Sequence, residues 1–293
     1  MDQMRVLCLA DKKYRIQYNR MCYLKHLLTG FDLDVFAIDE GFNLDSYDAV
    51  YYAHFSIFSK VKFKGPKIAS VTSHKCLANK KATIKYLRRF NAVSVNNSIL
   101  FEAFYDKLDN LLYTPNGVDA SFFTYSEPGL SDPPAIGWVG NADRATKNYQ
   151  SIVSPLTKSV NADFQIVASS KKDNSEDMKS IVQMRDYYHN LNYFLVTSTT
   201  EGTPNPGLEA MACGVPVIST KVGNMVDIIR DGENGFFCDD NIKSFRDRIG
   251  EVLEMPEDRY LVMRRAIRKD IEDEWDWTIK VIEWQKFFDQ LKL

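Results

Sequence analysis

The sequence predicts an α/β protein of two parallel-sheet domains facing a cleft, and three observations carry the prediction. Short apolar runs alternate with amphipathic stretches along the whole chain, the rhythm of strand–helix units around a mostly parallel sheet. That rhythm breaks once, at the turn-rich stretch 115–134, and then restarts. Finally, 293 residues with 45% apolar side chains make about two domains' worth of chain and can fill two cores.

In the first half, strands are predicted at 5–10, 33–38, 49–53, 67–72, 92–96 and 111–114, with helices such as 16–28 and 98–108 between them. Beyond Pro134 the strands fall at 135–140, 164–169, 193–198, 216–220 and 235–238. Helices are expected near 147–160, 178–190, 207–213, 225–231, 242–254 and 258–271. The domains are accordingly 1–118 and 119–274. In the last segment, 274–293, Trp275, Trp277, Ile279, Ile282, Trp284, Phe287, Phe288 and Leu291 share one wide apolar helical face. So much aromatic surface must be covered, and packing of 275–293 back on the first domain would cover it.

The net charge of −2 hides an asymmetry. Residues 1–115 carry 17 Lys+Arg against 11 Asp+Glu, and the remainder 20 against 28. Residues 49–101 contain no acid, yet hold Lys60, Lys62, Lys64, Lys67, Lys75, Lys80, Lys81, Lys85, Arg88 and Arg89. Such a face either attracts anions or is simply solvated. Five scattered cysteines form no CxxC pair, which argues against a disulfide framework or a zinc knuckle and for a reducing compartment. The start shows no charged-then-apolar leader, and no apolar run reaches the roughly 20 residues of a membrane span, so a cytoplasmic location is expected. The single Asp-x-Asp, Asp32-Leu-Asp34, reads as a helix–strand junction rather than a metal site.

The stretch Ser198-Thr-Thr-Glu201-Gly-Thr-Pro-Asn205-Pro206-Gly207-Leu-Glu209-Ala-Met-Ala-Cys-Gly214-Val-Pro216 follows a strand and opens a helix. Prolines and glycines enforce a loop, and Pro206 suits a first helical position. Amides around Asn205–Leu208 are then expected to face the crevice at the strand ends, where an anion is favoured. Glu201 and Glu209 are suited to accept hydrogen bonds from sugar hydroxyls; the plainer reading makes one a solvated loop residue and the other a helix-dipole complement.

Glu201-x7-Glu209 with the following Ala-Met-Ala-Cys-Gly-Val-Pro-Val-Ile resembles the signature of glycosyltransferase family 4, retaining nucleotide-sugar enzymes of GT-B fold. Pro115-Asn-Gly-Val-Asp119, Gly137-Trp-Val-Gly140-Asn with Arg144 and Lys147, Met184 to Ser198, Gly232-Glu-Asn-Gly235-Phe and Trp275–Trp277 extend the resemblance from about Lys67 to the end. It implies that Arg144 and Lys147 hold the donor diphosphate and that Gly140 lets the backbone approach it. Glu209 would bind the ribose and Glu201 the transferred sugar, with Asn205, Pro206 and Gly207 shaping the loop. His74, at the place of the family's first-domain histidine, would face the donor sugar. The chain departs from the pattern at Asn141, where an arginine is usual, at Lys75, where an aspartate is usual, and at Ala10-Asp11-Lys12-Lys13, which lacks the opening glycine pair.

The resemblance implies hexose transfer from a UDP- or GDP-sugar to a glycan or lipid-linked acceptor, without a metal or other cofactor. A sugar phosphorylase on the same scaffold and a non-enzymatic polyanion binder are the alternatives. For the basic stretch 60–89, contact with a membrane surface is favoured over nucleic acid, because its aromatics lack a periodic stacking pattern.

Overall fold

The computed structural model describes residues 3–169 and 179–293. The chain divides into two compact units, Met1–Gly117 with Thr278–Leu293, and Val118–Trp277. Among the described residues, no helix is long and apolar enough to cross a membrane.

The first unit is built on a six-stranded, all-parallel sheet. Its strands are β1 (Met4–Ala10), β2 (Phe31–Ala37), β3 (Ala49–Tyr52), β4 (Lys67–Val71), β5 (Ala92–Val95) and β6 (Leu111–Tyr113), in the order β2-β1-β3-β4-β5-β6. Residues 6–10 and 49–53 are buried without interruption, as strands covered on both faces must be. Three helices, α1 (Ile16–Leu24), α2 (Lys80–Leu87) and α3 (Ser98–Phe104), connect them.

Two of these helices are shorter than the apolar periodicity suggests. After Leu24 the amides of His26 and Leu27 turn back to Tyr23 O and Leu24 O, three residues away, and Gly30 at φ +78° reverses the chain into β2. α3 likewise ends at Phe104, whose carbonyl takes the Lys107 amide. Asp32 and Asp34 are not at a junction but inside β2, where Arg5 lies 3.7 Å from Asp32 and Lys25 lies 3.7 Å from Asp34.

The turn at Phe55–Ser59 packs on α2 through aromatic rings. Phe55 and Tyr86 are 5.9 Å apart and Phe58 and Phe90 are 5.3 Å apart. Along α2 and its C-cap, Lys81, Lys85 and Arg88 recur at helical spacing as one exposed stripe. Among the described residues, none of the ten cations between 60 and 89 forms an ion pair with a carboxylate.

The second unit carries β7 (Ala135–Asn141), α4 (Ser154–Ser159), β8 (Asp163–Ser169), α5 (Ile181–His189), β9 (Tyr193–Val196), α6 (Asn205–Ala212), β10 (Val217–Thr220), α7 (Met225–Ile228), β11 (Gly235–Cys238), α8 (Ile242–Leu253) and α9 (Glu257–Asp270). Its five strands are parallel in the order β11-β10-β9-β7-β8. The chain crosses from β8 on one side of β7 to β9 on the other, so the ends of β7, β8 and β9 border the switch point where such sheets bind ligands. Gly137 on β7 is required by packing, since a Cβ there would lie 2.2 Å from Leu191 Cδ1 and 2.7 Å from the Tyr187 hydroxyl.

The helix expected over 147–160 is not continuous. Ala145–Lys147 is a single 3-10 turn, Asn148 adopts the left-handed conformation at φ +54°, and a π-type turn at Tyr149–Val153 leads into α4. Of the helix expected over 178–190, Met178 lies outside the described residues.

α6 is anchored from behind. Arg268 donates to Ala212 O (2.6 Å), Phe123 O (2.8 Å) and Ala120 O (2.9 Å). Arg264, fully buried, donates to Ser126 O (2.7 Å) and Cys213 O (3.4 Å). Two cations on the last carbonyls complement the negative end of the helix dipole and tie α6 to the segment 120–126.

The last helix is α10 (Trp277–Asp289), whose residues from Thr278 on belong to the first unit. Trp284, Phe287 and Phe288 are fully buried there, around Tyr51 at ring distances of 5.3–6.2 Å. Trp284 donates to Pro115 O (2.9 Å) and stacks under Arg20, a buried cation that also bonds Tyr51 and Asn116. The apolar face is narrower than the spacing suggested: Ile279 and Ile282 are exposed, and Trp275 and Trp277 are counted with the second unit.

Candidate functional site

The loop after β9 and the turn after β7 bring two charged groups together. Lys147 Nζ lies 2.6 Å from Glu201 Oε1, and each side chain keeps only 15% of its surface exposed. Ser198 Oγ adds a donor to the same oxygen at 3.1 Å. Three further bonds hold the two segments side by side. Thr197 Oγ1 donates to Lys147 O (2.7 Å) and accepts from Trp138 Nε1 (3.1 Å), and Thr199 N donates to Thr146 O (2.9 Å). Asn148 completes the staple, reaching Thr197 O at 2.9 Å and also Asp240. Its left-handed backbone turns the chain so that Lys147 ends one turn and the next begins.

Beside this pair is a cavity of about 400 Å³. Its floor is the strand ends Val139–Asn141 and Val167–Ser169, and its walls include Met184, Tyr188, Pro206 and Glu209. Gly140 stands between cavity and lysine: a Cβ there would lie 2.9 Å from the Trp138 ring and 3.5 Å from Lys147 Cδ. The glycine therefore makes room for Trp138 and the lysine stem.

Glu209, one turn into α6, accepts from the Tyr188 hydroxyl at 2.7 Å. Burial pushes its carboxyl up to about 7, a rise that the Tyr188 hydrogen bond opposes. Between them, Glu201 and Glu209 flank the start of α6, where Pro206 also lines the cavity.

Several expected features differ. α6 begins at Asn205, so Pro206 is its second residue rather than its first. The expected row of donors at Asn205–Leu208 is used internally: Asn205 N donates to Thr203 O (3.0 Å), and Gly207 N and Leu208 N donate to Pro204 O (2.9 and 3.2 Å). Pro206 has no N–H to offer. Gly207 is buried and serves packing, since a Cβ would lie 2.9 Å from Val196 Cγ2 and 3.3 Å from Met225 Sδ. Arg144 is exposed and makes no side-chain hydrogen bond or ion pair among the described residues, unlike Lys147.

In the first unit, His74 opens the 3-10 turn after β4, and its Nε2 donates to Asn97 Oδ1 at 3.1 Å. Asn97 is fully buried and also caps α3 through Leu100 N (3.0 Å), so the histidine is held by a helix cap. Sequence reasoning assigned no role to Asn97, Thr197 or Tyr188. The one available signal was a pair of asparagines directly after an apolar strand.

The chain is similar in sequence and in fold to known glycosyltransferases. Residues 172–270 match the family described as "Glycosyl transferases group 1". The capsular polysaccharide biosynthesis glycosyltransferase CapM of Staphylococcus aureus is 27% identical, over 54% of this chain and 44% of its own. The D-inositol 3-phosphate glycosyltransferase of Acidothermus cellulolyticus is 31% identical over 33% of this chain and 22% of its own. The matched stretches thus span less than half the length of these relatives. Among solved structures, Anabaena Alr3699/HepE in complex with UDP and glucose superposes with a TM-score of 0.74 at 15% identity, covering 99% of this chain and 100% of that one. Sucrose-phosphate synthase of Thermosynechococcus elongatus reaches 0.76 at 13% identity, covering 99% of each. The fold is GT-B.

Proposed function

We propose, for a chain that carries a group 1 glycosyl transferase domain on a GT-B fold, that it transfers a hexose from a nucleoside diphosphate sugar to a glycan or lipid-linked acceptor with retention at the anomeric carbon. One observation carries the reading: the Lys147–Glu201 pair stands beside Gly140, which lines a cavity that Glu209 also lines. A nucleoside in the cavity, with ribose hydroxyls on Glu209, would lead its diphosphate past Gly140 to Lys147 and its sugar to Glu201. Arg144, exposed and without an ion pair among the described residues, could swing onto the same phosphates.

In this reading the anomeric C–O bond breaks and its electron pair stays on the diphosphate oxygen. Lys147 and Arg144 stabilise that charge without a metal ion. The acceptor hydroxyl attacks the same face of the ring, and its proton passes to the departing phosphate. CapM is named for capsular polysaccharide biosynthesis and Alr3699/HepE was solved with UDP, which favours a UDP-sugar and a polysaccharide product.

A thermal-shift screen of nucleotides and nucleotide sugars tests the donor class. A ligand at 100 times its Kd stabilises by ~2.7 kcal/mol. Stabilisation by UDP or GDP and their sugars is the expected result, and no response to any nucleotide would refute the reading.

The cations of residues 60–89, which form no ion pair with a carboxylate among the described residues, support an acceptor presented at an anionic surface. Pelleting with phosphatidylglycerol vesicles at low ionic strength, lost in 0.5 M salt (roughly a 4 Å screening length), is expected. Pelleting that ignores salt would leave the basic face a solvated one.

A further inference from the structure

We infer that Tyr188 is a positioning residue of the nucleotide site: its hydroxyl holds one carboxylate oxygen of Glu209, so that the other is presented to a pair of ligand hydroxyls. The inference rests on the reading of Glu209 as the ribose acceptor and adds a residue to that site. Tyr188 itself is fully buried, and its ring is packed by Phe123 of the segment 120–126 at 6.1 Å, Tyr187 of its own helix at 5.4 Å and Phe194 of β9 at 5.8 Å. The core therefore sets the direction of the O–H, and the 2.7 Å bond to Oε2 transmits that direction to α6.

A glutamate side chain has three rotatable bonds and, left alone in a cavity wall, would spread over several orientations. Anchoring Oε2 removes most of that freedom before a ligand arrives. Oε1 accepts no hydrogen bond among the described residues, while Glu209 lines the cavity. With one oxygen tied to the core, the other keeps two lone pairs, enough to accept both O–H groups of a vicinal diol. The tyrosine also favours the ionised carboxylate, the form that accepts only.

Tyr188→Phe keeps the ring and removes one oxygen, so the fold is retained. The probes are UDP and 2′,3′-dideoxy-UDP, or the guanosine pair if the nucleotide screen selects GDP, measured by calorimetry at one pH. Tyr188→Phe is expected to weaken UDP binding roughly tenfold, as loss of a hydrogen bond to a charged group does. It should leave dideoxy-UDP binding unchanged, and raise KM for the sugar nucleotide with kcat within about twofold of wild type. In a Glu209→Gln background the same change should add little, since the two substitutions remove one interaction.

Equal weakening of both nucleotides would show that Tyr188 acts only through packing, and overturns the inference. Unchanged UDP binding overturns it as well. If the wild-type protein itself binds UDP and dideoxy-UDP equally, the ribose reading of Glu209 is at fault, and the inference falls with it. Should Tyr188→Phe melt below the assay temperature, the comparison of Glu209→Gln with wild type on the two nucleotides decides: no loss of ribose discrimination overturns the inference.

Discussion

Lys147→Ala and Glu201→Gln are both expected to lower turnover by two to three orders of magnitude, yet to move nucleoside diphosphate binding in opposite directions. The two side chains form a pair at 2.6 Å with little exposure, so either substitution leaves its partner uncompensated. Removing one member of such a pair costs about 3–5 kcal/mol when fully buried, and less at this depth. In Lys147→Ala the orphan is a carboxylate facing the place proposed for the diphosphate, so binding of UDP or GDP is expected to weaken. In Glu201→Gln the orphan is an ammonium, no longer shared, so the same nucleotide binds as well as before or more tightly. On the proposed reading, the sugar loses its charged acceptor in the second variant, and the leaving group loses its cation in the first. Loss of one preorganised electrostatic contact typically costs about 10²–10³ in rate. Calorimetry with the nucleotide alone, alongside kcat on the sugar nucleotide, separates the two effects. Parallel losses of binding in both variants would mean that the pair is a structural clamp on the loop after β9 and does not meet the phosphates.

The strand pattern was legible because parallel strands buried on both faces leave nothing to chance in composition. Val6–Ala10 and Ala49–Ala53 are apolar at every position and buried at every position. The charged loop was legible for a different reason: Glu201, Pro204, Asn205, Pro206, Gly207 and Glu209 are residue types that packing alone would not assemble. What failed was local geometry that depends on partners far away in sequence. A continuous helix over 147–160 satisfied the periodicity, but Asn148 is drawn into the left-handed region by bonds to Thr197 and Asp240, about fifty and ninety residues on. The general rule for helix ends gives the amides at the start of α6 to a ligand. Pro204 O and Thr203 O take them instead, a choice set by the loop's own turn. Tyr188 was invisible as a site residue because an aromatic at helical spacing beside Tyr187 reads as core, and it is core. Only the third dimension shows that its hydroxyl reaches Glu209.

Glu209→Gln is expected to stabilise the ligand-free protein at pH 8 while abolishing ribose recognition. The carboxyl titrates near 4.5 when unfolded and at about 7 when folded, with burial as the main cause. Between those values the folded state binds the extra proton, so stability falls as pH rises from about 4.5 to 7 and is level beyond. A tenfold change in proton affinity is worth about 1.4 kcal/mol, so the ionised group costs about 3 kcal/mol at pH 8, and the neutral amide does not bear that cost. The glutamine that replaces Glu209 can still accept the Tyr188 hydroxyl through its carbonyl oxygen, so no new unsatisfied group is created in the wall. Denaturant midpoints of the two proteins should therefore coincide near pH 4.5–5 and diverge toward pH 8, with the glutamine variant the more stable. A pH-independent difference, or a less stable variant at pH 8, would mean that the carboxylate is well solvated in the free protein. A site that holds a carboxylate at a loss until ligand hydroxyls arrive trades folding stability for selectivity, because only a ligand that hydrogen-bonds to the anion recovers what burial took.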